Sequence, residues 1–427
     1  MSLFELLPAS LAFLCLFSGC PDSGVNPPTN PLGLTIEDVS CTEVFLKLSL
    51  AASETQRTLA LKRGDSTLAT ITMRGEDSLF VDEGLLPSKT YRYTLTAGSW
   101  TATAQATTMG TTSHNFTWQI DTLGDGGGSV LYDVAIINDT LAYAVGEIYK
   151  RDSVGNWDPL PYNLVKWNGQ RWELVKVTVQ TRWGAVTAPI RGIFAFSADD
   201  IWLVSGDAIH GDGRTWTNYD VRLLTGNDMV SVDKAWGSNS SNMYFVGWNG
   251  TIIHYDGVEW RRIESGTTLP IWDIFGAKDE RSGQYEIICV ASNHSYPEGR
   301  KLLSIQGTNV TALPDSGLPW SIDAIWHVPS RKYIVVGDSV WNVNQLGTRW
   351  RSIGGLPNLY TTSIAGNALN NIIIGGAFWN LLHFNGSTWR SYFPFTSGAL
   401  GSVAITGNLV IAVGYVGNRG VAIRGIR

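Results

Sequence analysis

From about Leu32 to Thr108 apolar and polar residues alternate in seven short runs: LTIEDV, VFLKLSL, TLALKRG, STLATITM, SLFVDEG, TYRYTLTA and TATAQATT. Successive side chains of a strand point to opposite faces, so a period of two marks strands with one buried face. Seven such runs separated by turn-forming residues predict a small β-sandwich over 32–109.

Past residue 112 the pattern changes. Almost wholly apolar runs now end in glycine or another small residue: LAYAVG to Gly146, IWLVSG to Gly206, MYFVG to Gly247, IICVAS to Ser292, YIVVG to Gly337, IIIGG to Gly376 and LVIAVG to Gly414. Six are followed by a hairpin. Five hairpins carry a tryptophan three residues after a turn glycine: KWNGQRW (Trp172), HGDGRTW (Trp216), HYDGVEW (Trp260), NQLGTRW (Trp350) and HFNGSTW (Trp389). In the sixth, IQGTNV, Val310 stands in that place. Dipeptides such as Asp256-Gly257 favour the type I′ turn of a two-residue hairpin. Gly247 to Gly337 and Trp260 to Trp350 each span 90 residues, hence two repeats of about 45, the period of propeller blades. The tryptophans, at one repeat position, read as packing residues.

Seven apolar strands against six hairpins leave a mismatch. The last repeat ends at GVAIRGIR, and HNFTWQID, with Trp118, has no repeat of its own before it. If the Trp118 strand lies beside GVAIRGIR, both exposed edges disappear. Residues 112–427 thus resemble seven-bladed β-propellers closed by strand exchange. The hairpins are loosely similar to the Asp-box of sialidase-like propellers, S-x-D-x-G-x-T-W. In HGDGRTW the Asp stands one residue too close to the glycine, and kinship with a catalytic sialidase is not implied. In the N-terminal module LLPSKTYRYTL places Leu85, Pro87 and Tyr91 at L-x-P-x-x-x-Y spacing, which resembles the tyrosine corner of fibronectin type III domains. That resemblance implies a spacer or adhesion unit. The expected fold class is all-β, a fibronectin type III-like sandwich followed by a seven-bladed propeller.

Composition agrees: charged residues are only 16%, while Gly 46 and Trp 18 are high. A net charge of −6 supplies no broad basic field, which argues against nucleic acid as a partner. The N-terminal run LLPASLAFLCLF suits the apolar core of a signal peptide and is short for a membrane span. The following FSGC resembles a bacterial lipobox. It implies a signal peptide over 1–19, lipidation of Cys20, and a tether over 20–31, PDSGVNPPTNP being rich in Pro, Ser, Gly and Asn. An ordinary secretory signal remains the alternative, and both readings export the protein. The expected location is the bacterial cell envelope, lipid-anchored on the periplasmic or extracellular side. Cys41 and Cys289 fall in different modules and read as buried free thiols, and no CxxC or His/Cys cluster points to a metal.

With strands named a to d from the channel outward, the b-to-c and d-to-a loops share one face. The long insertions EIYKRDSVGNWDPLPYN, VTVQTRWGAVTAPI and SNHSYPEGRK fall there. Trp157, Tyr162, Trp183 and Tyr296 lie in them, outside the repeat positions, and are candidate ligand contacts; folding back as lids is the alternative. An acid recurs near the start of strand a: Asp133, Asp233, Asp273 and Asp323. Four acids at one repeat position would surround the channel mouth and attract a cation or sugar hydroxyls; the alternative is that each accepts hydrogen bonds from its own or the next blade. His210, His254 and His383 share a position with Lys166 and read as strand residues rather than ligands. No nucleophile–base constellation is visible, so neither catalytic residues nor a cofactor is expected. The sequence predicts a monomeric, non-catalytic module whose long-loop face binds a glycan or protein, with a glycan-active enzyme as the alternative.

Overall fold

The computed structural model describes residues 30–427 except Ser53, 295–298 and 393–396. The expected signal peptide, Cys20, most of the tether, and Tyr296 lie outside the described residues. Two compact units divide the chain: one takes in the segment up to Thr35, Lys47–Leu79 and Arg92–Ala104, the other Ile36–Leu46, Phe80–Tyr91 and Gln105–Arg427.

The seven N-terminal runs are strands Leu32–Val39, Glu43–Leu50, Arg57–Arg63, Ser66–Met73, Asp77–Glu83, Thr90–Ala97 and Trp100–Thr107. The first, second and fifth form one sheet; the other four form a second, in the order fourth, third, sixth, seventh. Leu59 with Leu61 and Tyr93 with Leu95 are buried at the two-residue spacing the alternation predicts. The Tyr91 hydroxyl accepts the Leu86 N–H at 2.9 Å, which ties the corner between two strands to the chain upstream.

Among the described residues, 117–427 form seven four-stranded sheets and one two-stranded hairpin sheet. The first is Gly126–Asn138, Leu141–Tyr149, Tyr162–Trp167 and Trp172–Val175, from strand a to strand d. The last is Ala399–Thr406, Leu409–Val416, Arg419–Ile426 and then Thr117–Leu123, so the Trp118 strand completes it. The inner strands are Gly126–Asn138, Gly192–Ser197, Val232–Asn239, Ile271–Lys278, Ile322–Val328, Thr361–Ala368 and Ala399–Thr406; each contacts the next, and the last contacts the first. Hydrophobic clusters lie between neighbouring sheets. One joins Leu131, Ala144 and Val165 of the first sheet to Leu409, Ile411 and Val413 of the last. Strand b is covered on both faces by such clusters, which is why its sequence runs apolar without alternation.

The glycines that end strand b have a packing cause. In most repeats strand a carries a β-bulge near its start, as between the partners of Val145 and Gly146. The bulge presses a strand-a carbonyl against the end of strand b. A Cβ on Gly146 would lie 2.1 Å from Val130 O, and one on Gly414 1.9 Å from Ala399 O. Glycine admits that approach without displacement, and in the fourth sheet Ala291 stands at the equivalent place, opposite Ile271.

The hairpins differ from the two-residue type I′ turns expected. Tyr255 pairs with Trp260, leaving a four-residue loop. The Asp256 carboxylate accepts the N–H groups of Val258 at 3.0 Å and Glu259 at 2.8 Å, and Gly257 takes φ +92°. Asn168, Asp212 and Asn385 do the same in their own turns. The side chain has replaced the backbone turn as organiser, an Asx-turn, so one positive φ suffices where type I′ needs two.

The strand-d tryptophans pack across the c–d pair. Trp172 faces Trp167, Trp260 stacks on Tyr255 at 4.6 Å, and Trp389 stacks on Phe384 at 4.9 Å. In two sheets the partner is glycine: Trp216 lies over Gly211, and Trp118 over Gly425 in the same register. Trp118, supplied from upstream in the chain, thus occupies the place of a hairpin tryptophan.

Candidate binding site at the mouth of the central cavity

The inner strands enclose a cavity of about 660 Å³, lined by residues of all seven. Asp133, Asp233, Asp273 and Asp323 all reach it. The bulges, however, separate them into two positions one residue apart. Asp133 pairs with Val145 and Asp273 with Val290, in line with Lys234, Ala324, Ser363 and Ser402 in other repeats. Asp233 and Asp323 are the unpaired bulge residues, equivalent to Tyr132, Trp272, Thr362 and Gly401. Counting residues from the strand start cannot distinguish the two, because a bulge inserts one residue without changing the sheet.

The paired position is structural in character. Asp133, 3% exposed, accepts hydrogen bonds from its own chain at Val134 N (3.0 Å), from the next sheet at Ile193 N (3.0 Å), and from Ser402 Oγ at 2.7 Å. It also pairs with Lys234 Nζ at 2.9 Å across the channel. Asp273 accepts Ile325 N at 3.0 Å from the following sheet. Burial pushes its pKa up to about 6 against the opposing pull of Lys234. Lys234 is held protonated, the attraction of Asp133 and Asp273 outweighing its desolvation.

The bulge position faces the mouth. Burial raises the pKa of Asp233, opposed by Arg191 and a hydrogen bond from Trp248. Asp323, 9% exposed, takes His294 Nε2 at 2.8 Å on one oxygen; its other oxygen, Oδ2, is buried and has no close hydrogen-bond donor among the described residues. The Trp272 ring stacks on His294 at 4.5 Å and meets Trp248 edge-on at 5.3 Å. Tyr360 completes this side, 6.1 Å from His294 between ring centres, with its hydroxyl on Ser321 Oγ at 2.6 Å. On another side Arg191 lies over the Tyr132 ring at 4.2 Å, and the Tyr132 hydroxyl donates to Glu147. Burial and that bond push the Tyr132 phenol up to about 12.

The insertion aromatics are placed unequally. Trp183 is 82% exposed at the tip of a hairpin between Val179–Thr181 and Gly184–Val186. Trp157 folds back over Gly127 and stacks with Arg151 at 4.1 Å, leaving it 40% exposed. Tyr162 begins strand c of the first sheet and packs against the hydrophobic cluster below it. Sequence reasoning missed Trp248, Trp272, His294, Tyr360 and Arg191. Trp272 and Trp248 were legible as aromatics beside the expected loops, in WDIF and GWNG. Met229, Trp320 and Phe378 are further exposed apolar side chains on the b-to-c and d-to-a connections, while the opposite turns expose Val258 and Tyr285.

No protein-family model and no curated protein matches the chain. Among solved structures it is similar to YCF48 bound to D1 peptide, at 14% identity and TM-score 0.54, covering 74% of this chain and 99% of that one. YCF48 from Cyanidioschyzon merolae matches at 14% identity and TM-score 0.49, over 71% and 98% of the two chains. The WD40 repeats of RRP9 match at 10% identity and TM-score 0.49, over 73% and 100%. At such identities the likeness speaks for the fold, and the value of 0.54 carries it: the repeated sheets belong to a β-propeller.

Proposed function

We propose that the chain is a non-catalytic binding protein, a seven-bladed β-propeller closed by strand exchange behind a fibronectin type III-like module. It would engage a peptide or protein through the b-to-c and d-to-a loops and the cavity mouth. The observation that carries this reading is the concentration of exposed large apolar side chains on that face, Trp183 and Trp248 among them. Aromatic side chains around a polar cavity are what protein interfaces use as anchors. A propeller similar in fold is described as bound to a peptide, which is compatible with the reading. A glycan ligand has no such support. For the enzyme alternative, Asp133 and Asp273 are the carboxylates deepest in the cavity. Both are committed to backbone N–H groups and to the field of Lys234. Export with a lipid on Cys20 completes the proposal and rests on FSGC.

Panning a random peptide library on the full chain tests the face. Enriched peptides should lose binding to Trp272→Ala and keep it with Asp256→Ala, on the opposite turns. Failure to enrich any peptide, or loss from the Asp256 variant alone, would move the function elsewhere.

A further inference from the structure

The four carboxylates of the cavity are matched unequally. Asp133 holds Lys234 at 2.9 Å, Asp273 lies in the field of the same ammonium, and Asp233 lies in that of Arg191. For Asp323 the close partner among the described residues is the His294 imidazole, on one oxygen, with the Tyr360 hydroxyl in weaker contact. A buried carboxylate oxygen without a donor costs more than most native structures leave standing. Around it stand π-faces and edges: Trp272 stacked on His294, Trp248 against Trp272, and Tyr360. Burial first, then the Asp323 charge and a weak hydrogen-bonding contact with that carboxylate, raises the Tyr360 phenol pKa, while its close hydrogen bond, at 2.6 Å, is to Ser321.

Resting on the proposed peptide-binding function, we infer that this corner of the mouth receives a lysine side chain of the partner. The ammonium would donate to Asp323 Oδ2 while the stem lies against the Trp272 and Trp248 rings. A carboxylate beside aromatic faces favours an organic cation through charge and cation–π attraction. The cavity as a whole agrees, with Asp133, Asp233, Asp273 and Asp323 facing Lys234 and Arg191. Lysine fits better than arginine because one oxygen of Asp323 is taken by His294. The guanidinium fork gains most from two free carboxylate oxygens, whereas an ammonium is a point donor. Since Oδ2 is buried, the ammonium reaches it only as neighbouring side chains move, and the two indoles report that movement.

The test titrates the full chain with acetyl-Gly-Gly-Lys-Gly-Gly-amide and follows tryptophan fluorescence. Matched peptides carry norleucine or arginine in place of lysine, and n-butylamine serves as the free amine. The lysine peptide should bind at least tenfold more tightly than the norleucine peptide, and more tightly than the arginine peptide or the amine. Asp323→Asn should erase the lysine preference, and Trp272→Ala should weaken binding of the lysine peptide. The norleucine comparison needs no protein variant and stands even if Asp323→Asn fails to fold. Equal binding of lysine and norleucine peptides, no binding, or preference for arginine overturns the inference, as does butylamine binding as tightly as the peptide. Should panned peptides bind the Trp272 face with no lysine requirement, this inference fails and the peptide-binding function survives. Should they not bind that face at all, the function itself fails.

Discussion

Acid should loosen the seam where the Trp118 strand completes the last sheet. His114, just ahead of that strand, places Nδ1 2.7 Å from Nδ1 of His383 in the neighbouring sheet. His383 is fully buried, and its Nε2 lies 3.0 Å from Asn371 Oδ1. With that nitrogen donating to Asn371, the facing nitrogen accepts from His114, and both rings are neutral. The charged groups acting on the pair are Arg390 and Arg427, both positive. Burial first, then the charges of His114 and Arg427, pushes His383 down to about 3; burial and the two arginines lower His114 as well.

The sign follows from proton counting. Above a histidine's ordinary value of about 6.5 neither the folded nor the unfolded chain binds this proton, and stability is full. Below it the unfolded chain takes up the proton and the folded one does not, so stability falls with pH until the folded value is reached. A gap of about 3.5 pH units, at about 1.4 kcal/mol each, limits the loss from His383 to roughly 5 kcal/mol, with roughly 3 kcal/mol gone by pH 4.5. Set against a typical domain stability of about 5–15 kcal/mol, that is a large fraction. Urea unfolding of wild type and His383→Gln at pH 7.5 and 4.5 measures it, since the difference between the proteins cancels groups titrating elsewhere. The wild-type advantage should shrink by roughly 3 kcal/mol on acidification. Parallel pH dependence in the two proteins would refute the reasoning.

Asp273 carries the opposite sign: its folded pKa of about 6 exceeds the ordinary carboxyl value, so stability declines as pH rises through that window. Asp273→Asn should compare more favourably with wild type at pH 7.5 than at pH 4 in thermal melts, and a pH-independent difference would contradict this. Gly414→Ala puts a Cβ 1.9 Å from Ala399 O and should cost about 3 kcal/mol, whereas Gly354→Ala, with nothing within 4 Å, should be close to neutral in the same denaturation assay. Trp183→Ala should leave stability within about 0.5 kcal/mol, while Trp157→Ala, stripped from Gly127 and Arg151, should lose about 1 kcal/mol. Equal melting shifts in the two would show that Trp183 is packed.

The repeat period, the strands and the partner of the Trp118 strand were legible because each is written as a sequence regularity. A two-residue alternation, an apolar run ending in glycine and a tryptophan after a turn survive without knowledge of the third dimension. Turn type was not legible. Asp256-Gly257 fits both a type I′ turn and an Asx-turn, and the choice depends on whether the carboxylate takes the N–H groups of Val258 and Glu259. The alignment of the four acids failed for a similar reason. The bulge that puts Asp233 and Asp323 one residue away from Asp133 and Asp273 is a property of pairing with strand b. The walls of the mouth come from different repeats, Trp248, Trp272 and Tyr360 among them, and no spacing along the chain connects them.

The two ends of the strands are built under different constraints, and this bears on which face of the sheets can vary. On the c-to-d side an Asx residue closes four of the turns over four residues, and a cross-strand aromatic or glycine receives the next tryptophan. Lengthening such a turn would lose the side-chain hydrogen bonds to backbone N–H groups and shift the tryptophan from its partner. On the other side the b-to-c connection in most sheets leaves from a glycine pressed against strand a, as at Gly146, Gly247, Gly337, Gly376 and Gly414, and its length beyond that point is not fixed by the sheet. The connection is two residues between Val416 and Arg419 and twelve between Tyr149 and Tyr162. Variation can therefore accumulate around the mouth without disturbing the sheets below. There, the backbone even adopts left-handed conformations at bulky residues, with φ +54° at Phe378 and +57° at Trp379. Such conformations cost about 1–3 kcal/mol each and persist where surrounding structure enforces them. Trp379 is buried and bonds Tyr415 O at 3.0 Å, while Phe378 is 52% exposed. The buried ring anchors the loop, and the strain is spent holding the other ring out on the face proposed to bind.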